Sequence, residues 1–138
     1  MTSSSNFFAT ARDDLTGPLD GVRILEVGRV WSAPQAAAIL GDLGADVIRI
    51  ELEYGRDGDV VPNFPGTDLS WFRETANRNK RSVHGDLRTP QGQDLVRDLA
   101  RHAHVLVENF QPTTLEQWGL GFRDLHTINP ALVYVSIS

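Results

Sequence analysis

The sequence has no cysteine, which removes disulfides, thiolate nucleophiles and cysteine-bound metals at once. It also lacks an excess of basic charge, since 13 Lys and Arg stand against 18 Asp and Glu for a formal net charge of -5. A broad nucleic-acid-binding surface is therefore not expected, although a local basic patch stays open. No apolar run approaches the roughly 18 residues that a membrane span needs, so no membrane partner is expected. The opening stretch, Met1 to Gly17, is Ser-rich and then carries Arg12, Asp13 and Asp14. It has neither the apolar segment of a secretory signal nor the acid-poor character of a transit peptide. It reads as a flexible tail over residues 1–17, and the expected location is cytoplasmic.

Familiar catalytic signatures are missing too. There is no Gly-x-Ser-x-Gly elbow, and Ser136 and Ser138 have no evident base. His84, His102, His104 and His126 show no metal-like spacing with carboxylates, so no metal is expected. The dinucleotide fingerprint is incomplete: Gly28 fits, but Val30 and Ala33 stand at the second and third glycine positions. A side chain at the second position blocks close approach of a pyrophosphate to the backbone. Glu51 lies where a ribose-binding acid would, so an NAD protein stays an alternative.

What is present suits one domain with a real core: 138 residues, 41% hydrophobic and 22% charged. From Gly21 onward, short apolar runs alternate with longer amphipathic ones. Val22–Val27, Asp46–Glu51, Ser82–Leu87, His104–Glu108 and Leu132–Ile137 read as strands. Ser32 and Pro34 open a helix, with Ser32 as its cap, that ends before a left-handed Gly44. Thr89 and Pro90 open another, with Leu95, Leu99 and Ala103 on one face. Thr113–Trp118 and Phe122–Ile128 are short helices. Leu52–Asp68 reads as a long loop followed by an aromatic segment around Trp71 and Phe72. Strands alternating with helices imply right-handed crossovers and an α/β fold with a mostly parallel, doubly wound sheet. The last strand has no helix after it, whereas a parallel strand buries both faces. Further chain or another subunit is expected to complete the sheet there.

In such sheets ligands bind beyond the carboxyl ends of the strands. That rule selects Gly28, Arg29, Val30, Trp31 and Ser32 after the first strand and Leu52 to Arg56 after the second. It then selects Asp86, Leu87 and Arg88, next Asn109, Phe110 and Gln111, and last Ser136 and Ser138. The densest basic stretch, Asn77 to Ser82, is either a solvated loop or a polyphosphate clamp. In the clamp, Lys80 is a mobile point charge and Arg81 a fork for phosphate oxygens. Trp31 is equally readable as a stacking platform or a core residue.

Five ordered blocks resemble the CoA-transferase family III, the carnitine dehydratase and bile-acid-inducible group. They are Pro18–Glu51 (PLDGVRILEVGRVWSAPQAAAILGDLGADVIRIE), Ala76–Ser82 (ANRNKRS), Asp86–Gly92 (DLRTPQG), His104–Phe110 (HVLVENF) and Leu120–Ser138 (LGFRDLHTINPALVYVSIS). The resemblance implies a Rossmann-like, coenzyme-A-binding amino-terminal domain over residues 18–138, one part of a larger domain. It maps coenzyme contacts onto Arg29, Val30, Trp31 and Ser32, with Arg88, Asn109 and Phe110 as further lining positions. The implied reaction moves CoA between an acyl-CoA and a small carboxylic acid through an aspartyl mixed anhydride and an enzyme-bound thioester. The family's aspartate lies beyond Ser138, so no catalytic residue is assigned in this chain. Leu52 and Gln117 stand where relatives often carry arginine. The partners implied are a second copy in a homodimer, or the remaining carboxyl-terminal chain. An α-methylacyl-CoA racemase and a non-catalytic CoA-binding or assembly module are the alternatives.

Overall fold

The computed structural model describes residues 16–52 and 63–137. Among them, β1 (Arg23–Val27), β2 (Asp46–Leu52), β3 (Lys80–Gly85), β4 (Val105–Glu108) and β5 (Val133–Ser136) form one sheet in the order β3-β2-β1-β4-β5. Every pairing is parallel, so all strand carboxyl ends lie on one edge, with Val27 opposite Glu108 and Glu108 opposite Ser136. This is the expected α/β architecture.

Side chains alternate across a strand, so each strand feeds two faces. Leu25, Val27, Ile48, Ile50 and Leu106 join one apolar cluster with Val96, Leu99, Leu115 and Leu125. Those partners come from or follow α3 (Pro90–Ala100), α4 (Thr114–Gln117) and α5 (Phe122–Ile128). Ile24, Val47 and Val107 face the other way, onto Ala33 and Ala37 of α1 (Ser32–Asp42). Alanines on α1 let its backbone lie close to the sheet. Gly92 lets the turn after β3 fold tightly onto the first turn of α3: a Cβ there would sit 2.0 Å from the Asp86 carbonyl oxygen.

Several boundaries follow the local signals. The Thr89 hydroxyl accepts from the Gly92 N–H, with Pro90 in the first turn of α3. Gly44, at φ 96°, turns the chain from α1 into β2. Three readings need correction. Trp31, not Ser32, caps α1, and it offers no side-chain bond. The third strand begins at Lys80 instead of Ser82 and ends at Gly85. The aromatic segment is a helix, α2 (Trp71–Ala76), whose first turn is held by Ser70 accepting from the Arg73 N–H.

The tail expected over residues 1–17 lies outside the described residues except for Thr16 and Gly17, and most of the Leu52–Asp68 loop lies outside them as well. Among the described residues no helix is long and apolar enough to cross a membrane.

Candidate coenzyme site at the carboxyl edge of the sheet

From β1 the chain steps to β2 and β3 in one direction, then crosses to β4 and β5 in the other. The order therefore reverses between β1 and β4, and that switch point is where open α/β sheets leave a crevice for a ligand. Two loops meet there, Gly28–Trp31 after β1 and Asn109–Thr113 after β4.

Asn109 ties them together. Its Oδ1 accepts from the Arg29 N–H at 2.8 Å, and its Nδ2 donates to the Arg29 carbonyl at 2.7 Å and the Ser32 Oγ at 3.0 Å. This is why Ser32 does not cap α1: its hydroxyl is engaged across the switch point. Gly28 leaves the room this needs, since a Cβ there would meet Ala33 Cβ at 2.7 Å and Asn109 Oδ1 at 2.9 Å. Val30 takes φ 59°. Trp31 is half exposed, 50%, yet its ring stacks on Phe72 at 5.6 Å and meets Trp71 edge-on at 5.7 Å. It serves both readings, with one part of the ring packed and the other left facing solvent.

Phe110 donates its N–H to Glu108 Oε2 at 2.7 Å and sets its ring edge-on to Trp118. Arg88 follows β3 on the same edge. Its side chain forks onto Asp86 with two bonds of 2.8 Å, and its own N–H adds a third at 3.0 Å. Those bonds hold the Asp86 carboxyl below the usual carboxylate range. Arg88 and Asn109 share an edge but belong to strands three steps apart, roughly 14 Å at the ordinary strand spacing. Only an extended ligand spans both.

The expected clamp at Lys80 and Arg81 is not part of this group. Lys80 is 2% exposed; its Nζ donates to Glu26 Oε2 at 2.6 Å and to the Pro34 carbonyl at 2.7 Å. Burial pushes the Lys80 pKa down, against the pull of Glu26. Its charge neutralises a buried acid beneath the first turn of α1. Arg81 forks onto Asp46 at the opposite, amino edge of the sheet, at 2.7 and 2.9 Å.

Glu26 is the residue that sequence reasoning missed. It is fully buried, and Arg49 Nη1 bonds its other oxygen at 3.0 Å, while Asn77 Oδ1 accepts from both cations. The signal was there: an acid inside the apolar run VRILEV, on a strand buried on both faces, demands buried partners. Against this cluster a polar groove of about 320 Å³ opens between Arg49, Glu51, Lys80 and Ser82 of the sheet and Arg73, Asn77 and Arg78. Arg73 bonds Glu51 at 2.7 Å and Arg78 forks onto Asp42.

Among the described residues, the carboxylates Glu51, Asp86 and Glu108 near the ligand edge are engaged as well. Glu51 holds Arg73, Asp86 holds Arg88, and the buried Glu108 accepts from Phe110. Each has a structural task, and none stands as an uncommitted nucleophile. Leu52 and Gln117, the two departures from the resemblance, are a partly buried apolar contact of the core and an exposed helix residue.

Comparison with known proteins extends these observations. Residues 19–138 match the profile described as CoA-transferase family III. The chain is 42% identical over 129 residues to succinyl-CoA–D-citramalate CoA-transferase of Chloroflexus aurantiacus, covering 88% of this chain and 30% of that protein. It is 41% identical to the succinate–glutarate CoA-transferase of Agrobacterium fabrum, covering 88% of this chain and 32% of that one. Among solved structures, a CAIB/BAIF family protein from Brucella suis superposes with a TM-score of 0.79 at 38% identity. That likeness covers 88% of this chain and 33% of that one. The chain thus spans about a third of the length of the relatives it matches.

Proposed function

The chain belongs to CoA-transferase family III, and on that premise we propose that it supplies the coenzyme-A-binding part of an enzyme moving CoA between an acyl-CoA and a carboxylic acid. The observation that carries the proposal is the switch point between β1 and β4, where Asn109 joins the Arg29–Ser32 loop to the end of β4. Arg29, Val30, Trp31 and Ser32 receive the coenzyme there, Phe110 lines it, and Arg88 meets its far end. The roughly 14 Å between the ends of β3 and β4, three strand spacings apart, suits a long, jointed ligand such as coenzyme A. A small acid could not bridge it.

The acyl exchange needs a nucleophile that holds the acyl group and a site that shields it from water. Glu51, Asp86 and Glu108 are each committed to a cation or a backbone N–H. We place the reacting carboxylate outside the described residues, as the resemblance implies, with the enzyme working in the cytoplasm.

Calorimetric titration of the protein with coenzyme A and with NAD tests the reading. Coenzyme A is expected to bind and NAD to give no signal, since the turn after β1, with Val30 and Ala33 at the second and third glycine positions, lacks the dinucleotide fingerprint. NAD binding without a response to coenzyme A would overturn it.

A further inference from the structure

Three non-glycine residues among those described adopt a left-handed backbone: Val30 at φ 59°, Asn79 at 60° and Thr113 at 70°. Asparagine tolerates that region, whereas β-branched residues rarely enter it. Both β-branched cases sit in the loops that leave the carboxyl ends of the adjacent strands β1 and β4. Strain of this kind persists only where the surroundings impose it, and it gathers at functional sites.

What imposes it at Val30 is visible. Asn109 grips both backbone groups of Arg29, immediately before Val30, and the hydroxyl of Ser32, two residues after it. Trp31 is held independently by Phe72 and Trp71. The three bonds of Asn109 bracket the strained residue and leave it no room to relax. They need an acceptor and a two-proton donor on one short side chain, which the amide of asparagine supplies and the carboxylate of aspartate does not.

We propose that Asn109, besides any lining role, is a positioning residue: it stores the strain at Val30 and so fixes the β1–α1 loop in its coenzyme-receiving shape. The proposal rests on the reading of this edge as the coenzyme site. It differs from a lining role in one consequence. A residue that only lines a site is not replaceable from within the loop, whereas a clamp becomes dispensable once the loop no longer resists its shape. Glycine at position 30 removes that resistance, because it takes positive φ at no steric cost.

The test is a double-substitution cycle on the intact protein: Asn109→Ala, Val30→Gly and both together. Coenzyme A affinity is measured by calorimetry, and amide hydrogen exchange at Arg29 is measured without ligand. Asn109→Ala is expected to weaken coenzyme binding about tenfold, the scale of one released backbone strain, and to unprotect the Arg29 amide. Val30→Gly in that background is expected to restore affinity to within about threefold of the parent, since a left-handed glycine is unstrained. A purely structural role would lower the melting temperature without this recovery. Unchanged affinity in Asn109→Ala, or a loss that Val30→Gly leaves untouched, overturns the clamp in favour of no role or of direct contact. Absence of coenzyme binding by the parent protein would instead remove the coenzyme reading. The Arg29 amide still judges the clamp in that case, and undiminished protection in Asn109→Ala rejects it. Should Asn109→Ala not fold, Asn109→Asp keeps the acceptor for the Arg29 N–H and opposes a carboxylate to the Arg29 carbonyl. The same loss and the same recovery by Val30→Gly are expected there.

Discussion

The two faces of the sheet are built on different principles. Towards α3, α4 and α5 the sheet presents a continuous apolar surface, with Leu25, Ile48, Ile50 and Leu106 all fully buried among leucines and valines. Towards α1 and α2 the apolar cluster is smaller and alanine-rich, and beside it lie the buried charges of Glu26, Arg49 and Lys80. The first face stabilises by area, and hydrophobic side chains of similar volume exchange there at modest cost. The second face depends on complementarity, because a buried charge is tolerable only while its partners remain. The charged face lies under the Arg29–Ser32 loop, since Lys80 also bonds the Pro34 carbonyl in the first turn of α1. Site shape is therefore tied to buried charge on one side of the sheet, whereas on the other Phe110 rests on apolar packing that tolerates conservative exchange.

The sharpest way to break this comparison is at Glu26. Glu26→Ala removes the carboxylate that both Arg49 and Lys80 bond in the interior, and the expected loss is about 3–5 kcal/mol in urea unfolding, typical of a severed buried pair. Glu26→Gln, which retains hydrogen-bonding atoms, should lose less. A loss under about 1 kcal/mol for Glu26→Ala, the size of an exposed pair, would show that the cluster is solvated in practice.

On the apolar face the matched change is mild. Ile48→Val removes one methylene from a fully buried position, and the expected cost is about 0.5–1.5 kcal/mol with coenzyme affinity unaltered. A shift in affinity with Ile48→Val would contradict the tolerance of the apolar face.

The smallest effect concerns pH. The His104 Nδ1 accepts from the Arg23 N–H at 3.0 Å at the start of β1, a bond that only the unprotonated nitrogen can accept. Burial, and then the charge of Arg23, lower the His104 pKa from the ordinary value of 6.5. With the folded value below the unfolded one, the contribution is fully present above pH 6.5 and is lost as pH falls from there through the folded value. His104 is largely solvent-exposed, so a shallow decline in melting temperature between pH 7 and 5 is expected, flattened in His104→Asn. Identical slopes in the two proteins would assign the decline to other groups.

Most of the fold was legible because its signals are short. Thr89 with Pro90 announces the start of α3, Gly44 the end of α1, and alternating apolar runs the strands. The strand-end rule put Arg29–Ser32, Arg88 and Asn109 on one edge, whereas the switch point needed the strand order that the structure supplies. Helix α2 was read only as an aromatic segment, although Ser70 ahead of Trp71 is a cap signal, because six residues with two aromatics carry little helical periodicity. The basic stretch was misjudged for a different reason. Lys80 and Arg81 look solvated in a sequence, and their anions lie 54 and 35 residues earlier.

By itself, the sequence determined the order and kind of the elements, the parallel sheet and the edge where a ligand belongs, since caps, turns and apolar period act within a few residues. Only the tertiary structure decided where the polar groups were committed. Ser32 was free to cap its own helix until Asn109 arrived from 77 residues away, and Lys80 was free to meet a phosphate until the buried Glu26 claimed it. A charge or amide finds its lowest free energy with whichever complementary group the fold brings within hydrogen-bond reach, and that distance is a property of three-dimensional packing, which no local pattern encodes.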